Sequence, residues 1–394
     1  MTKKPLNIFI LARGYPTEAY PMNGIFEFDQ AKALADLGHR VTYGALDLRS
    51  LRKKRSWGFE QKQHRGVTVI ALNLPVGNIG KNLTQKVRIT ALEKLYKKMV
   101  TERGKPDVVH AQFINVGHAA TKVLKNRDFP LVYTEHYSGL NQEVLDPRLQ
   151  KLGEETYREV DQFLAVSQYL AENLNRHFGI RPRVIPNIVD TGRFQYDPHK
   201  KKTPPSEFHF ISVGSLQKHK EHHLLIEAFF EAFSREKGGE EHPLAPKGVK
   251  LYIYGGGPER EALQTLITEK NLETQVFLMG QQPRETIAEK MQQSQAFVLA
   301  SKLETFGVAF IEAMAAGLPV ISLAKGGPQG FITEKNGILV PGGDREDLKQ
   351  AMIRMVQRID QYDPSTLSQE MKEIFSPKKI AEALVDVYNE GIKN

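Results

Sequence analysis

The chain has 394 residues, enough for two domains that each bury a core. It has no cysteine, which excludes disulfides, thiolate metal sites and cysteine nucleophiles and suits a reducing cytosol. Basic residues exceed acidic ones by 54 − 46 = 8, so anionic partners of several kinds are open: nucleic acid, anionic lipid or small anions. No apolar run reaches the roughly 18 residues that a membrane span needs.

From the N-terminus, MTKKPLNIFILARGYP has the basic start and short apolar run of a signal peptide. NIFILA (7–12) is too short for that role, and Arg13, Gly14 and Pro16 end it, so it reads as a buried first strand. A helical pattern follows at 24–38. VTYGAL (41–46), VTVIAL (67–72), DVVHAQF (107–113), PLVYTEH (130–136) and QFLAVS (162–167) are further strands. Their nearly continuous apolar character fits a parallel sheet buried on both faces.

The alternation restarts with FHFISVG (208–214), VKLYIYGGG (249–257), QVFLMG (275–280), AFVLAS (296–301), PVISLA (319–324) and GILVP (337–341). Two doubly wound α/β halves are predicted, joined by a proline- and charge-rich linker near 187–206. The stretch 238–248 reads as an exposed loop. Near the C-terminus, 344–359 is an amphipathic helix capped by Asp344, and a last helix starts at Ser376-Pro377.

Basic residues concentrate at 49–65 (Arg49, Arg52, Lys53, Lys54, Arg55, Lys62, Arg65) and at 81–105. In the second region Leu83, Val87, Ala91, Leu95 and Met99 form a stripe at helical spacing, with Lys86, Lys94, Lys97 and Lys98 elsewhere on the helix. Such a helix suits either a sheet surface or an anionic membrane face. No aromatic-basic element of an RNA or DNA module is present, so no nucleic-acid partner is expected.

Three stretches could carry chemistry. In YGGGPERE (254–261) a strand runs through three glycines into a helix. Arg260 stands where a dinucleotide fingerprint needs its third glycine, which disfavours a nicotinamide dehydrogenase. A tight turn, or a backbone that approaches a ligand at Gly256, remains. In SVGSLQKHKEHH (212–223), Gly214 and Ser215 end a strand before a basic loop with Lys218 and Lys220, suited to an anion. The adjacent His222 and His223 are poorly spaced for one metal and read as surface residues.

The third stretch, SKLETFGVAFIEAMAAGLPVI (301–321), holds Glu304 and Glu312 with seven residues between them. The helix start at Phe306, Gly307 and Val308 has free amides for a phosphate. Glu312 lies where a carboxylate could accept from two hydroxyls of a neighbouring diol, and Glu304 lies over the other side. The order is that of a nucleotide sugar; two surface glutamates are the plain alternative.

These pieces, with FLMG (277–280), KGGPQGF (325–331) and NGILVP (336–341), closely resemble the retaining glycosyltransferases of family 4, which have the GT-B fold. The N-terminal half resembles them more loosely through 23–41, 106–113, YTEH (133–136), 165–173 and 184–194. The resemblance implies two Rossmann-like domains facing across a cleft. Residues 1–187 would form the acceptor side and 188–375 the nucleotide-sugar side, with 376–394 a helix returning to the first domain.

The resemblance also implies roles. Glu312 would hold ribose, Glu304 would lie near the donor sugar, and Lys220 would bind phosphate. Phe306, Gly307 and Val308 would face the diphosphate, with Gly214, Ser215 and Gly256 lining the donor site. His136 would face the sugar, and Gly24 would sit in the loop that closes on donor and acceptor. The implied reaction is metal-independent hexosyl transfer from a nucleotide diphosphate sugar, UDP-linked, without a bound cofactor. The acceptor would be a glycan or lipid-linked molecule of the cell envelope, met in the cytoplasm or at the inner membrane face. A GT-B epimerase or a non-catalytic nucleotide-sugar binder are the alternatives. The chain departs from the family pattern at Ser215 (usually arginine), Glu221 (usually glycine), Asn23 (usually glycine) and Gln329-Gly330 (commonly an acid).

Overall fold

The computed structural model describes residues 4–50, 55–200, 207–234 and 248–393. The chain divides into two compact units, one of residues 1–188 with 377–394, the other of 189–376.

In the N-terminal unit the elements run β1 (Asn7–Ala12), α1 (Ile25–Asp36), β2 (Arg40–Arg49), β3 (Gly58–His64), β4 (Val67–Pro75), α2 (Lys81–Arg103), β5 (Val108–Gln112), α3 (Ile114–Val123), β6 (Leu131–Glu135), α4 (Pro147–Thr156), β7 (Gln162–Ala165), α5 (Gln168–Phe178) and β8 (Arg183–Val184). They form one sheet of order β3-β4-β2-β1-β5-β6-β7-β8, parallel except for β3. The chain winds outward from β1 through β2 and β4, then returns to β5 on the other side. Loops at the C-terminal ends of β1 and β5 therefore diverge and leave a crevice, the usual ligand position in such sheets.

The signal-peptide-like run is β1, whose residues from Ile8 to Ala12 are fully buried. Sequence reading missed β3, because GFEQKQH alternates half-buried with exposed residues and is largely polar. An antiparallel edge strand needs only one buried face, and its charges discourage edge pairing.

The apolar stripe of α2 is mostly interior. Ala91, Leu95 and Met99 are buried, Val87 is half-buried and only Leu83 is well exposed. Met99 lies over Gly44 of β2, where a Cβ would come within 2.6 Å of its sulfur. The sheet claims this face because burying each such side chain stabilises by about 1.5–3 kcal/mol. The stripe is therefore not available to a membrane. Lys97 and Lys98 pair with Glu93 and Glu102 on the outer side. Arg52, Lys53 and Lys54 of the other basic region lie outside the described residues.

α12 (Pro377–Lys393) belongs to this first unit. Its Ile380, Leu384 and Tyr388 enter the core beside Phe28 and Leu34 of α1, and the Tyr388 hydroxyl meets His110 Nδ1 at 2.8 Å.

The second unit runs β9 (Glu207–Val213), α6 (His222–Phe233), β10 (Gly248–Tyr254), α7 (Arg260–Glu269), β11 (Val276–Gly280), α8 (Arg284–Gln293), β12 (Ala296–Leu299), α9 (Val308–Ala315), β13 (Val320–Leu323), β14 (Gly337–Val340), α10 (Arg345–Gln357) and α11 (Pro364–Phe375). Its parallel sheet has the order β11-β10-β9-β12-β13-β14, with the reversal between β9 and β12. Asp344 caps α10 by accepting from the Asp347 amide at 2.8 Å.

The segment read as a linker is packed as far as it is described. Phe194 is buried, and the Tyr196 amide donates to Ser368 Oγ at 3.2 Å. Residues 201–206, and 238–247 of the expected loop, lie outside the described residues.

Candidate active site

In the C-terminal unit the predicted residues gather at the C-terminal ends of β9, β10 and β12. Gly307 opens α9 in the left-handed region at φ 96°, with no side chain capping the helix. The first amides of α9 are thus left for another partner. Phe306 differs from expectation in its side chain. Its ring is buried against Phe331 and Phe375, so only its backbone can serve the helix start.

Each glutamate of the pair is met by its own cation. Lys220 Nζ lies 2.5 Å from Glu304 Oε1, with both side chains more than four-fifths buried. Arg284 Nη2, from the first turn of α8, lies 2.6 Å from Glu312 Oε1. Val308 and Glu312 are four residues apart, so the helix start and the second pair are separated by about 6 Å along α9. The Glu304 turn is fixed by its carbonyl, which accepts from the Gly327 amide at 2.8 Å.

Sequence reading missed Arg284, which lies 28 residues from Glu312 and carries no motif. It also misplaced His222, which is 3% exposed rather than on the surface. Burial lowers the His222 pKa to about 4, against a smaller upward pull from the Ser215 backbone. The ring lies under the Gly214 turn, its Nε2 3.8 Å from where a Cβ on Gly214 would stand.

The triple-glycine turn is shaped first by the chain itself. A Cβ on Gly255 would lie 1.8 Å from the Gly214 carbonyl oxygen, and one on Gly257 would lie 2.3 Å from that of Leu216. Gly256 meets nothing closer than 3.8 Å, so its face is open. Glu221 has φ 53°, which explains why glycine suits this position; a side chain there is strained. Ser215 is half-buried, and Lys218 is exposed beside it.

In the N-terminal unit, Gly24 caps α1 at φ 67°, where a Cβ would fall 2.3 Å from the Gly14 carbonyl oxygen. The Tyr43 hydroxyl donates to that same oxygen at 2.8 Å and pins the loop after β1. His136 follows β6. Buried Glu135 holds its turn by accepting from the amides of His136 and Tyr137, both at 2.9 Å, and from the Tyr133 and Tyr157 hydroxyls.

The His136 ring donates through Nε2 to Gln112 Oε1 at 2.6 Å and stacks on Phe113 at 4.7 Å. Burial, then the charge of Arg13, lowers its pKa to about 3, so the ring is neutral at physiological pH. Phe113 itself has φ 66°, a conformation rare for a residue with a side chain and typical of functional sites.

Residues 194–369 match the family described as Glycosyl transferases group 1, and residues 28–193 match Glycosyltransferase Family 4. A putative colanic acid biosynthesis glycosyltransferase of Salmonella typhimurium is 26% identical over 386 residues, covering 85% of this chain and 87% of that protein. The lipopolysaccharide core biosynthesis glycosyltransferase LpsE of Rhizobium meliloti is 30% identical over 208 residues, 52% of this chain and 56% of that protein.

Among solved structures, sucrose-phosphate synthase of Thermosynechococcus elongatus superposes with a TM-score of 0.79 at 21% identity, covering 98% of each chain. Anabaena HepE in complex with UDP superposes with a TM-score of 0.70 at 20% identity, covering 98% of this chain and 100% of that one. The alignments to three of the curated relatives span only 50–64% of those proteins' own lengths. The matches cover both halves, and both units carry the parallel Rossmann-like sheet: the chain belongs to the family 4, group 1 glycosyltransferases of GT-B fold.

Proposed function

We propose that this protein transfers a hexosyl unit from a nucleotide diphosphate sugar, with retention, to a glycan or lipid-linked acceptor of the cell envelope. The observation that carries this reading is the pair of carboxylate–cation contacts, Lys220 with Glu304 and Arg284 with Glu312, on either side of the uncapped start of α9. Glu312 would accept from the ribose hydroxyls, held in place by Arg284. The α9 amides and Lys220 would meet the diphosphate, and Glu304 the sugar. HepE, solved with UDP and with UDP-glucose, supports UDP as the nucleotide.

The acceptor hydroxyl oxygen would form the new bond to the anomeric carbon as the bond to the diphosphate oxygen breaks. The acceptor's proton would pass to that leaving oxygen on the same face. Charge builds on the diphosphate in this step, where Lys220 and the fixed helix-start amides act most strongly. No bound cofactor is part of the scheme, and activity is expected to survive EDTA. Among the described residues, no helix is long and apolar enough to cross a membrane. A lipid-linked acceptor would be met at the membrane surface.

A thermal-shift panel of UDP, GDP and ADP sugars tests the reading, since the true donor raises stability by mass action. Free nucleotide released with no acceptor present would favour the epimerase instead, and binding without turnover the non-catalytic reading.

A further inference from the structure

His222 is buried beneath the Gly214 turn and has no role in the transfer step described above. It opens α6, directly after Glu221 at φ 53°. A Cβ placed on Gly214 would lie 3.8 Å from His222 Nε2, 4.0 Å from Lys220 Cδ and 3.6 Å from Leu299 Cδ1. The imidazole and the lysine stem thus flank one point of the turn. Lys220 Nζ then reaches Glu304 Oε1 at 2.5 Å, in the turn that leads to Gly307 and the start of α9.

The surroundings keep the ring neutral. Burial acts first, and the charges of Lys220, His219 and His223 add to it, against an upward pull from the Ser215 backbone. The positive end of α6 acts in the same direction as the cations. The nearby acids face elsewhere: Glu304 pairs with Lys220, and Glu221 Oε2 lies 3.3 Å from His223 Nε2. Among the described residues, no carboxylate comes within 4.0 Å of the His222 ring nitrogens. A diphosphate held by Lys220 and the α9 amides would reverse this balance. It would offset the lysine charge and place a negative field across the turn. An opposite charge within about 4–6 Å moves a pKa toward the charged form by roughly 1–3.

We propose that His222 takes up a proton when the donor's diphosphate binds, and so adds a buried positive charge beneath the turn beside Lys220. The proton comes from solvent and returns to it when the nucleotide diphosphate leaves. At 3% exposure, His222 acts across the backbone of the turn rather than by contact, so it is a positioning residue. Its charge matters most as the bond to the leaving diphosphate breaks and negative charge builds there. The inference rests on the nucleotide-sugar reading of this site.

Calorimetry of the full chain with UDP-glucose tests it, because this diphosphate diester does not itself titrate between pH 5.5 and 8. Titrations at pH 6 in two buffers of different ionisation enthalpy count the protons taken up. For a rise of about two in the His222 pKa, about half a proton is taken up at pH 6, and affinity grows about fourfold from pH 8 to pH 5.5. His222→Gln should abolish both effects, and His219→Gln should leave them. A residue that merely holds the turn gives another pattern. The unsubstituted chain would then take up no proton, and His222→Gln would weaken binding by the same factor at every pH.

Uptake that survives His222→Gln overturns the proposal. Should that variant not fold, His219→Gln and His223→Gln decide: uptake that persists in both leaves His222 as its source, and uptake lost in either overturns it. If UDP-glucose binds without proton uptake, this inference falls and the nucleotide-sugar reading stands. If UDP-, GDP- and ADP-glucose all fail to bind, both fall.

Discussion

Glu312→Gln keeps the shape of the side chain and removes its charge. Glu312 is 9% exposed, and its Oε1 lies 2.6 Å from Arg284 Nη2. A charge-assisted contact of this kind contributes about 1.5–3 kcal/mol net. In a domain of this size each kcal/mol shifts Tm by about 2–4 °C, so the C-terminal unit should lose roughly 3–12 °C. If the same carboxylate accepts from the ribose hydroxyls, losing its charge should weaken UDP binding by a similar free energy, about 10- to 150-fold. Calorimetry with UDP and 2′-deoxy-UDP separates the two effects. The deoxy ligand lacks one partner hydroxyl, so the penalty should shrink by about 1 kcal/mol or more. Arg284→Gln should reproduce the loss in Tm but cost less affinity, because the carboxylate remains. An equal penalty for the two nucleotides would refute the ribose assignment.

Lys220→Ala should lower kcat sharply with a smaller effect on KM in steady-state kinetics; full activity would remove Lys220 from the reaction. Gly256→Ala should fold normally, given the open space around that residue, so any loss of nucleotide affinity reports contact with the ligand. Gly255→Ala, by contrast, should destabilise the unit, because its Cβ would strike the Gly214 carbonyl. Glu221→Gly should raise Tm by relieving a positive φ, offset in part by the lost Glu221–His223 contact.

The buried histidines set a pH dependence. His110 and His136 have pKa values lowered to about 3, and His222 to about 4. Unfolded, all three titrate near pH 6.5. Their stabilising effect is therefore complete above pH 6.5 and falls as pH drops toward the folded values, by up to about 1.4 kcal/mol per pH unit for each. Urea midpoints between pH 7 and 5 should fall, and His110→Asn should lessen the slope. A flat profile would contradict the buried neutral state.

Much of the architecture is written in local sequence. The apolar runs of β1, β5, β9 and β12 mark parallel strands because burial on both faces leaves no polar alternation. Gly307 and the spacing of Glu304 and Glu312 follow from helix geometry, which depends on neighbours only a few residues away. The cap at Asp344 is legible for the same reason. β3 was not, since a polar edge strand carries little signal, and the α2 stripe fitted a sheet and a membrane equally until the fold placed Met99 over Gly44.

Tertiary structure alone decided which charges meet. Arg284 reaches Glu312 only because α8 and α9 flank the same end of the sheet. Lys220 and Glu304 are 84 positions apart and meet at 2.5 Å because β9 and β12 are neighbours in the sheet. His222 looks like a surface residue beside His223, yet the Gly214 turn closes over it. Charge and burial act through space, so a sequence lists the cations but not their partners, and the chain's fold supplies the pairing.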